Sequence, residues 1–365
     1  MKKKIWMMLL CGALVCFPLG GCGINRADAD TGSVHSEAAS DHKTTKNSNA
    51  EYTSEVFAMD TYMTLTAYGE NAKEAVEAGI AEIQRLDALL STGDANSEVA
   101  QINQNGGGTL SEDTDYLVKR ALAIYQSTQG AFDISIYPVM QLWGFTTGDF
   151  AVPSKEDLAA KLALVNAGRI SRTEGNGVSS ITLPEGMEID LGGIAKGYTS
   201  GKVMEVMKRY GIESAVINLG GNAHVLGSKS DGSAWKVGIQ DPNDTKGYLG
   251  GVSVRDKAII TSGGYERYFV DEATGVKYHH IIDPKTGYSA NNGLISVTIV
   301  SADSTLADGL STSLFVLGTE DAIAYCEEHC AEDGFDAIME DEDGKLYITD
   351  GIMDDFINMN NTANI

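Results

Sequence analysis

Between residues 210 and 300 the chain alternates short β-rich runs with glycine turns, and few architectures accept that pattern. The runs are 215–219, 234–239, 251–254, 258–261 and 294–300. Helical periodicity lies on either side. Asn71 precedes a helix with Glu74 three residues on, a capping-box arrangement. Val76, Ile80, Ile83 and Leu90 fall on one face of that helix, with Leu86 nearby. Further helices are predicted over about 113–128 and 155–164, then over 303–317 and 319–331. Short strands at 336–339 and 345–348 close the chain. Ordered structure is predicted from about Val56, with the alternating stretch 62–68 as a strand. Strands and helices segregate instead of alternating as βαβ units. The pattern therefore predicts a mixed α+β fold, not a doubly wound sheet. No fixed-period repeat and no second domain boundary are visible.

The first residues read as an export segment. Lys2, Lys3 and Lys4 precede an apolar run from Ile5 to Phe17, short for a bilayer-spanning helix of about 20 residues. The run exits through Leu19-Gly20-Gly21-Cys22, which resembles the bacterial lipobox. In that pattern the cysteine carries lipid and becomes the new N-terminus. An ordinary signal peptide with an incidental cysteine is the competing reading. The small residues before Cys22 and the polar stretch after it favour the lipobox. Residues 1–21 are thus assigned as a lipoprotein signal peptide. Residues 22–54 form the lipidated cysteine and a flexible linker too polar to offset its ordering entropy. The folded body is assigned to residues 55–358, held at the extracytoplasmic face of the cell membrane.

Charge narrows the partners. The formal net charge is -24, against a general nucleic-acid footprint and against broad contact with anionic lipid heads. Membrane attachment then needs the dedicated anchor at Cys22. Of five cysteines, Cys11 and Cys16 lie in the signal segment. Cys326 and Cys330 sit four apart on a predicted helix, poor geometry for a disulfide. His329 between them leaves a metal pair open, with helix packing the simpler account.

Several short segments can carry chemistry. Asp190-Leu191-Gly192-Gly193-Ile194-Ala195-Lys196-Gly197 places two glycines before a predicted helix, with a lysine following. A glycine-opened helix N-terminus presents free N–H groups to phosphate, although an ordinary turn has the same look. Neither a Walker A nor a G-x-G-x-x-G pattern is matched. Asp308 and Thr312 lie four apart near a helix start, so they share a face. A carboxylate and a hydroxyl make a hard-oxygen pair for Mg²⁺, or else an acid favouring the helix dipole beside a solvated threonine. His280 closes a predicted strand over 276–282, before the turn Asp283-Pro284-Lys285-Thr286-Gly287. It is the best-placed general base of six histidines, with a structural role as the alternative. Arg267, in Tyr265-Glu266-Arg267-Tyr268, pairs either with a phosphate or with a strand neighbour. Trp143 and Phe145 stack on a ligand ring or belong to the core. Two further glycine segments are Gly130-Ala131-Phe132-Asp133 and Asn218-Leu219-Gly220-Gly221-Asn222.

In this order, and with Met59-Asp60-Thr61, Leu90-Ser91-Thr92, Ser97-Glu98 and Asn103, these blocks resemble the ApbE family of FAD:protein FMN transferases. The resemblance spans about residues 56–350. It implies a single α+β domain with a β-rich centre, peripheral helices and an FAD cleft between substructures. The implied reaction is attack of a target-protein threonine on the FMN-side phosphate of FAD, leaving FMN as a phosphoester and releasing AMP. Mg²⁺ is the implied cofactor, FAD the substrate, and an extracytoplasmic flavin-accepting protein the partner. By position, Asp308, Thr312 and the backbone oxygen of Gly193 match the metal ligands. Met59, Ala131, Phe132, Asp133, Asp190, Lys196, Ile281 and Ile282 match FAD contacts, and His280 matches the base. Where relatives often carry an aromatic, this chain has Gly93-Asp94, and Gly263-Gly264 occupies a variable place. An FAD pyrophosphatase giving FMN and AMP would use the same metal and cleft. A non-catalytic flavin-binding lipoprotein would have no need of His280.

Overall fold

The computed structural model describes residues 50–244 and 246–358. The expected signal segment and Cys22 lie outside the described residues, as does the linker through residue 49. The chain opens with β1 (Glu51–Ala58), β2 (Thr61–Tyr68), α1 (Ala72–Leu90), α2 (Glu98–Asn105), β3 (Gly107–Leu110) and α3 (Glu112–Ser127). It continues through α4 (Tyr137–Trp143), α5 (Lys155–Leu162), β4 (Ser171–Gly175), β5 (Val178–Thr182) and α6 (Gly192–Arg209). Then come β6 (Ser214–Leu219), β7 (Asn222–Gly227), β8 (Trp235–Gln240), β9 (Tyr248–Val254), β10 (Ala258–Gly263), β11 (Tyr268–Val270), β12 (Lys277–His279) and β13 (Leu294–Ser301). The chain finishes with α7 (Ser304–Leu317), α8 (Thr319–Asp333), β14 (Phe335–Asp341), β15 (Leu346–Ile348), α9 (Asp350–Met353) and β16 (Phe356–Asn358).

An antiparallel sheet in the order β1-β2-β6-β7-β10-β13-β14-β15 forms the middle layer. Strand alternation gives it two apolar faces. Leu65, Ile217, Ile260, Val297, Ile299 and Met339 point to the helices. Val225, Ile259, Val300 and Ile338 point the other way, onto Trp235, Val237 and Val252 of the small sheet β16-β9-β8. This is the single α+β domain with a β-rich centre and peripheral helices. Among the described residues no helix is long and apolar enough to cross a membrane.

The predicted elements depart from the structure in four places. Residues ahead of Val56 are already ordered: β1 runs from Glu51 and pairs with β2 along its whole length. The capping box at Asn71 does not form; its side-chain amide donates instead to the Tyr210 carbonyl at 2.9 Å. The 276–282 strand shrinks to β12: the His280 amide makes a last bond in register to the Arg267 carbonyl, and the backbone bends at His280. The 155–164 helix ends at Leu162. Trp143 and Phe145 are fully buried, and the Trp143 indole donates to the Gly287 carbonyl at 2.8 Å, so both belong to the core.

What positions the functional residues is the crossing of α6 and α7. A β-carbon on Gly197 would stand 2.5 Å from the Asp308 β-carbon and closer still to the Ser304 carbonyl. Only glycine lets the two backbones meet there. Ser304 and Ser200 both donate to the Gly197 carbonyl, at 2.6 and 2.8 Å. Gly197→Ala is therefore expected to cost about 1–3 kcal/mol through overpacking. Gly175→Ala, where a β-carbon meets open space, should stay within about 0.5 kcal/mol. Denaturant midpoints of the two variants check this; equal midpoints would remove the crossing as the cause.

Candidate active site

Asp303 caps α7 by accepting from the Leu306 amide at 3.0 Å, and the helix then carries Asp308 inward. Asp308 is 4% exposed. Its carboxylate accepts from the Gly197 amide at 2.7 Å and from the Asn222 side chain at 3.0 Å. The Lys196 amide also aims at it. Burial raises its pKa, and the Lys196 ammonium and these donors pull it back. No cation among the described residues forms an ion pair with it. A carboxylate that gives up water without gaining a cation is poised for one.

The first turn of α6 points the same way. The Gly197 amide has one proton, and Asp308 takes it at 2.7 Å. The Gly193 carbonyl, four residues back, therefore competes with a carboxylate for its ordinary helical donor. Thr312 lies one turn beyond Asp308, and its hydroxyl is 3.4 Å from the Ser262 hydroxyl. One carboxylate, one hydroxyl and one backbone carbonyl make a hard-oxygen donor set that suits Mg²⁺ with water or phosphate completing the shell. Among the described residues no group of three or more His, Cys, Asp and Glu is placed to hold a metal. The donor set therefore leans on neutral oxygens.

His280 follows β12 and is held by the strand opposite. Its amide donates to the Arg267 carbonyl at 3.0 Å, and Nδ1 lies 3.2 Å from the same oxygen. A carbonyl only accepts, so Nδ1 carries the proton and Nε2 keeps a bare lone pair. Burial, then the charges of Arg267 and Lys196, with His279 behind them, push the imidazole pKa down to about 3. Adjacent His279 is buried, bonds through Nε2 to the Ala290 carbonyl at 3.0 Å and packs edge-on against Phe315. The two neighbouring histidines thus take different roles.

Asp190 accepts from the Gly192 amide at 2.7 Å, which fixes the glycine turn. Burial raises its pKa against the pull of that amide, of Lys196 and of Arg267, with Asp60 raising it further. Met59, in the β1–β2 turn at φ 48°, is anchored by its amide to Asp87 and receives the Thr199 hydroxyl on sulfur at 3.7 Å. Among the described residues Lys196 makes no ion pair, yet its charge acts on Asp190, Glu266, His280 and Asp308.

Other expected residues stand differently. Phe132 packs against Gly193, with a ring carbon 3.0 Å from where a β-carbon would be. Asp133 is spent on its own turn, accepting from the Ser135 amide and hydroxyl and from the Ala167 amide. Ala131 lines a separate hollow of about 270 Å³ with Asp283, Lys285 and Asn292. The side chains of Ile281 and Ile282 are buried in two different cores, leaving only their backbone for a ligand. A hollow of about 830 Å³ beside Tyr116, Tyr198, Lys202 and His224 carries none of the expected residues.

Sequence reasoning missed two participants. Asn222 follows the Gly220-Gly221 hairpin turn, whose positive φ values of 62° and 98° explain both glycines. Glu266 sits with an oxygen 3.6 Å from where a Gly221 β-carbon would be. Burial raises its pKa to about 7, with Lys196 opposing and Asp308 adding. Cys326 and Cys330 are free thiols on α8, where His329 stacks on Tyr325 and sits 3.6 Å from Asp333. The expected helix packing describes that region.

Comparison with known proteins gives the arrangement a context. The sequence pattern of the ApbE family matches residues 59–339. An FAD:protein FMN transferase of Klebsiella pneumoniae (strain 342) is 37% identical over 246 residues, 66% of this chain and 75% of the relative. One from Treponema pallidum (strain Nichols) is 33% identical over 325 residues, 83% and 88% of the two chains. Among solved structures, an ApbE protein from Thermotoga maritima superposes with a TM-score of 0.76 at 31% identity, covering 83% of this chain and 98% of its own. The flavin transferase ApbE from Vibrio cholerae gives 0.72 at 29%, covering 82% and 97%.

The histidine geometry makes a direct prediction. The folded-state pKa lies below the ordinary value near 6.5, so His280 stays neutral through the neutral range. In ¹⁵N-histidine NMR it should hold the Nδ1–H tautomer and titrate only well below pH 5. A midpoint near 6.5 would contradict the arrangement.

Proposed function

The chain belongs to the ApbE family, and from that membership we propose that it is a Mg²⁺-dependent FAD:protein FMN transferase acting on a threonine of an extracytoplasmic protein and releasing AMP. Flavin transfer is the activity its relatives are named for. The observation carrying the finer reading is Asp308: a buried carboxylate without a cation partner, set against a glycine-opened helix N-terminus.

The roles follow from chemistry. Asp308, Thr312 and the Gly193 carbonyl would hold the metal. Mg²⁺ bound there would neutralise pyrophosphate charge and stabilise the departing AMP phosphate. The first-turn amides of α6 and Lys196 supply positive potential where phosphates bind. Met59, Asp190 and the turn 131–133 would be the FAD contacts, as the family resemblance implies. Asp133 acts by fixing its turn, and Ile281 and Ile282 offer backbone. His280, neutral with Nε2 bare, takes the proton of the threonine hydroxyl. Positioning and charge neutralisation supply most of a phosphoryl transfer, so few reactive side chains are needed. Lipid on Cys22 would hold the protein at the membrane.

The test uses the chain from residue 23 with FAD, Mg²⁺ and a flavin-accepting protein, read by intact mass. An FMN adduct on the acceptor that Asp308→Ala abolishes supports the reading. His280→Ala should keep FAD binding and slow transfer about 10²–10⁴-fold. Free FMN and AMP without an adduct would make the protein a pyrophosphatase. FAD bound but intact would make it a carrier. For the anchor, Cys22→Ser should move the expressed protein from the membrane to the soluble fraction.

A further inference from the structure

We propose that Arg267 is a catalytic residue of the transfer, its guanidinium holding the non-bridging oxygens of the FMN-side phosphate during attack. The inference rests on the transferase reading above.

Three observations converge. The first is an unused cation. Among the described residues, three arginines are half-buried: Arg120, Arg172 and Arg267. Arg120 holds Asp303 at 2.6 Å, and Arg172 holds Asp115 and Glu174. Among the described residues the guanidinium of Arg267 has no ion pair and no hydrogen bond, in a chain with 51 acids and 27 bases. It makes no bridge to a strand neighbour among the described residues. A half-buried guanidinium without an anion is a binding group awaiting one.

The second is its tie to the base. The Arg267 carbonyl receives both the amide and Nδ1 of His280. Backbone of the cation and imidazole of the base are thereby one rigid unit. Its charge is felt at His280 and at Asp190, on the glycine-turn side.

The third is the division made by its neighbour. Glu266 sits beside the Gly221 turn, in the fields of Asp308 and Lys196. Arg267, the next residue, is tied through its carbonyl to His280. A hydroxyl activated by His280 attacks the phosphate lying beside that histidine. That phosphate is the one transferred, and Arg267 is the cation beside it.

The chemistry balances with these groups. The threonine oxygen bonds to the FMN phosphorus while its proton passes to Nε2 of His280. The bond from that phosphorus to the bridging oxygen breaks, and its electron pair leaves with AMP. Arg267 keeps its protons throughout. Charge is concentrated on the two non-bridging oxygens of that phosphorus in the transition state, and a planar two-pronged donor matches them better than a point charge.

The experiment compares Arg267→Ala and Arg267→Lys with the unaltered chain, using FAD, Mg²⁺ and the acceptor protein. Transfer is followed by intact mass and FAD binding by flavin fluorescence. Loss of the guanidinium should lower kcat about 10²–10³-fold, the scale for removing one oxyanion donor, with FAD affinity changed only a few-fold. Lysine should restore a minor part. Added guanidinium ion should speed Arg267→Ala several-fold and leave the unaltered chain unchanged, which a purely structural role would not produce. Wild-type kcat in Arg267→Ala would overturn the proposal. So would joint loss of FAD binding and transfer with no guanidinium response. If the unaltered chain forms no adduct, the transferase reading itself fails and the role of Arg267 falls with it.

Discussion

Everything at the site depends on one contact, the approach of α6 to α7 at Gly197. A side chain there would collide with Asp308 and Ser304. Without one, the Gly197 amide reaches the Asp308 carboxylate at 2.7 Å. A buried acid thereby finds neutral donors while its charge stays unbalanced. The same bond draws on the helical partner of the Gly193 carbonyl. The carboxylate on α7 is desolvated, and the carbonyl in the first turn of α6 loses part of its donor to it. Packing and chemistry are here the same interaction.

Around that contact the charges are spaced instead of paired. Lys196, Glu266 and Arg267 make no ion pair among the described residues, although other charged groups do, such as Arg172 with Asp115 and Arg85 with Asp113. Folding alone would favour closing those pairs. Burial raises Glu266 to about 7, with Lys196 opposing and Asp308 adding, and burial followed by the charges of Arg267 and Lys196 lowers His280 to about 3. Two titratable groups pushed in opposite directions by burial and local charge mark a working site. A bound dinucleotide with its metal would supply the charges that are absent.

The sequence made part of this legible. Strand runs after residue 210 were readable because alternation and glycine turns are local signals. The helices were readable from their apolar faces. The i, i+4 relation of Asp308 and Thr312 was readable too, but its meaning was not. The partners of Asp308 lie at Gly197 and Asn222, 111 and 86 residues away, and no local pattern joins them. Asn71 fails as a capping box for the same reason, because Tyr210, 139 residues away, takes its side chain. Glu266 gave no signal at all, since a raised carboxylate is made by its surroundings. The family resemblance supplied what local reading could not: which of several ordinary segments belong together. It did not say that Asp133 would be spent on its own turn, or that Ile281 and Ile282 would face inward.

The central claim is that Asp308 is kept buried and without a cation partner so that a divalent ion can complete it. Mn²⁺ binding to the FAD-loaded chain, followed by electron paramagnetic resonance, tests this most directly. Mn²⁺ shares the preference of Mg²⁺ for hard oxygens. The account predicts that Asp308→Asn, which keeps the shape and removes the charge, weakens Mn²⁺ binding at least about ten-fold while FAD stays bound. Unchanged Mn²⁺ affinity in that variant would contradict it.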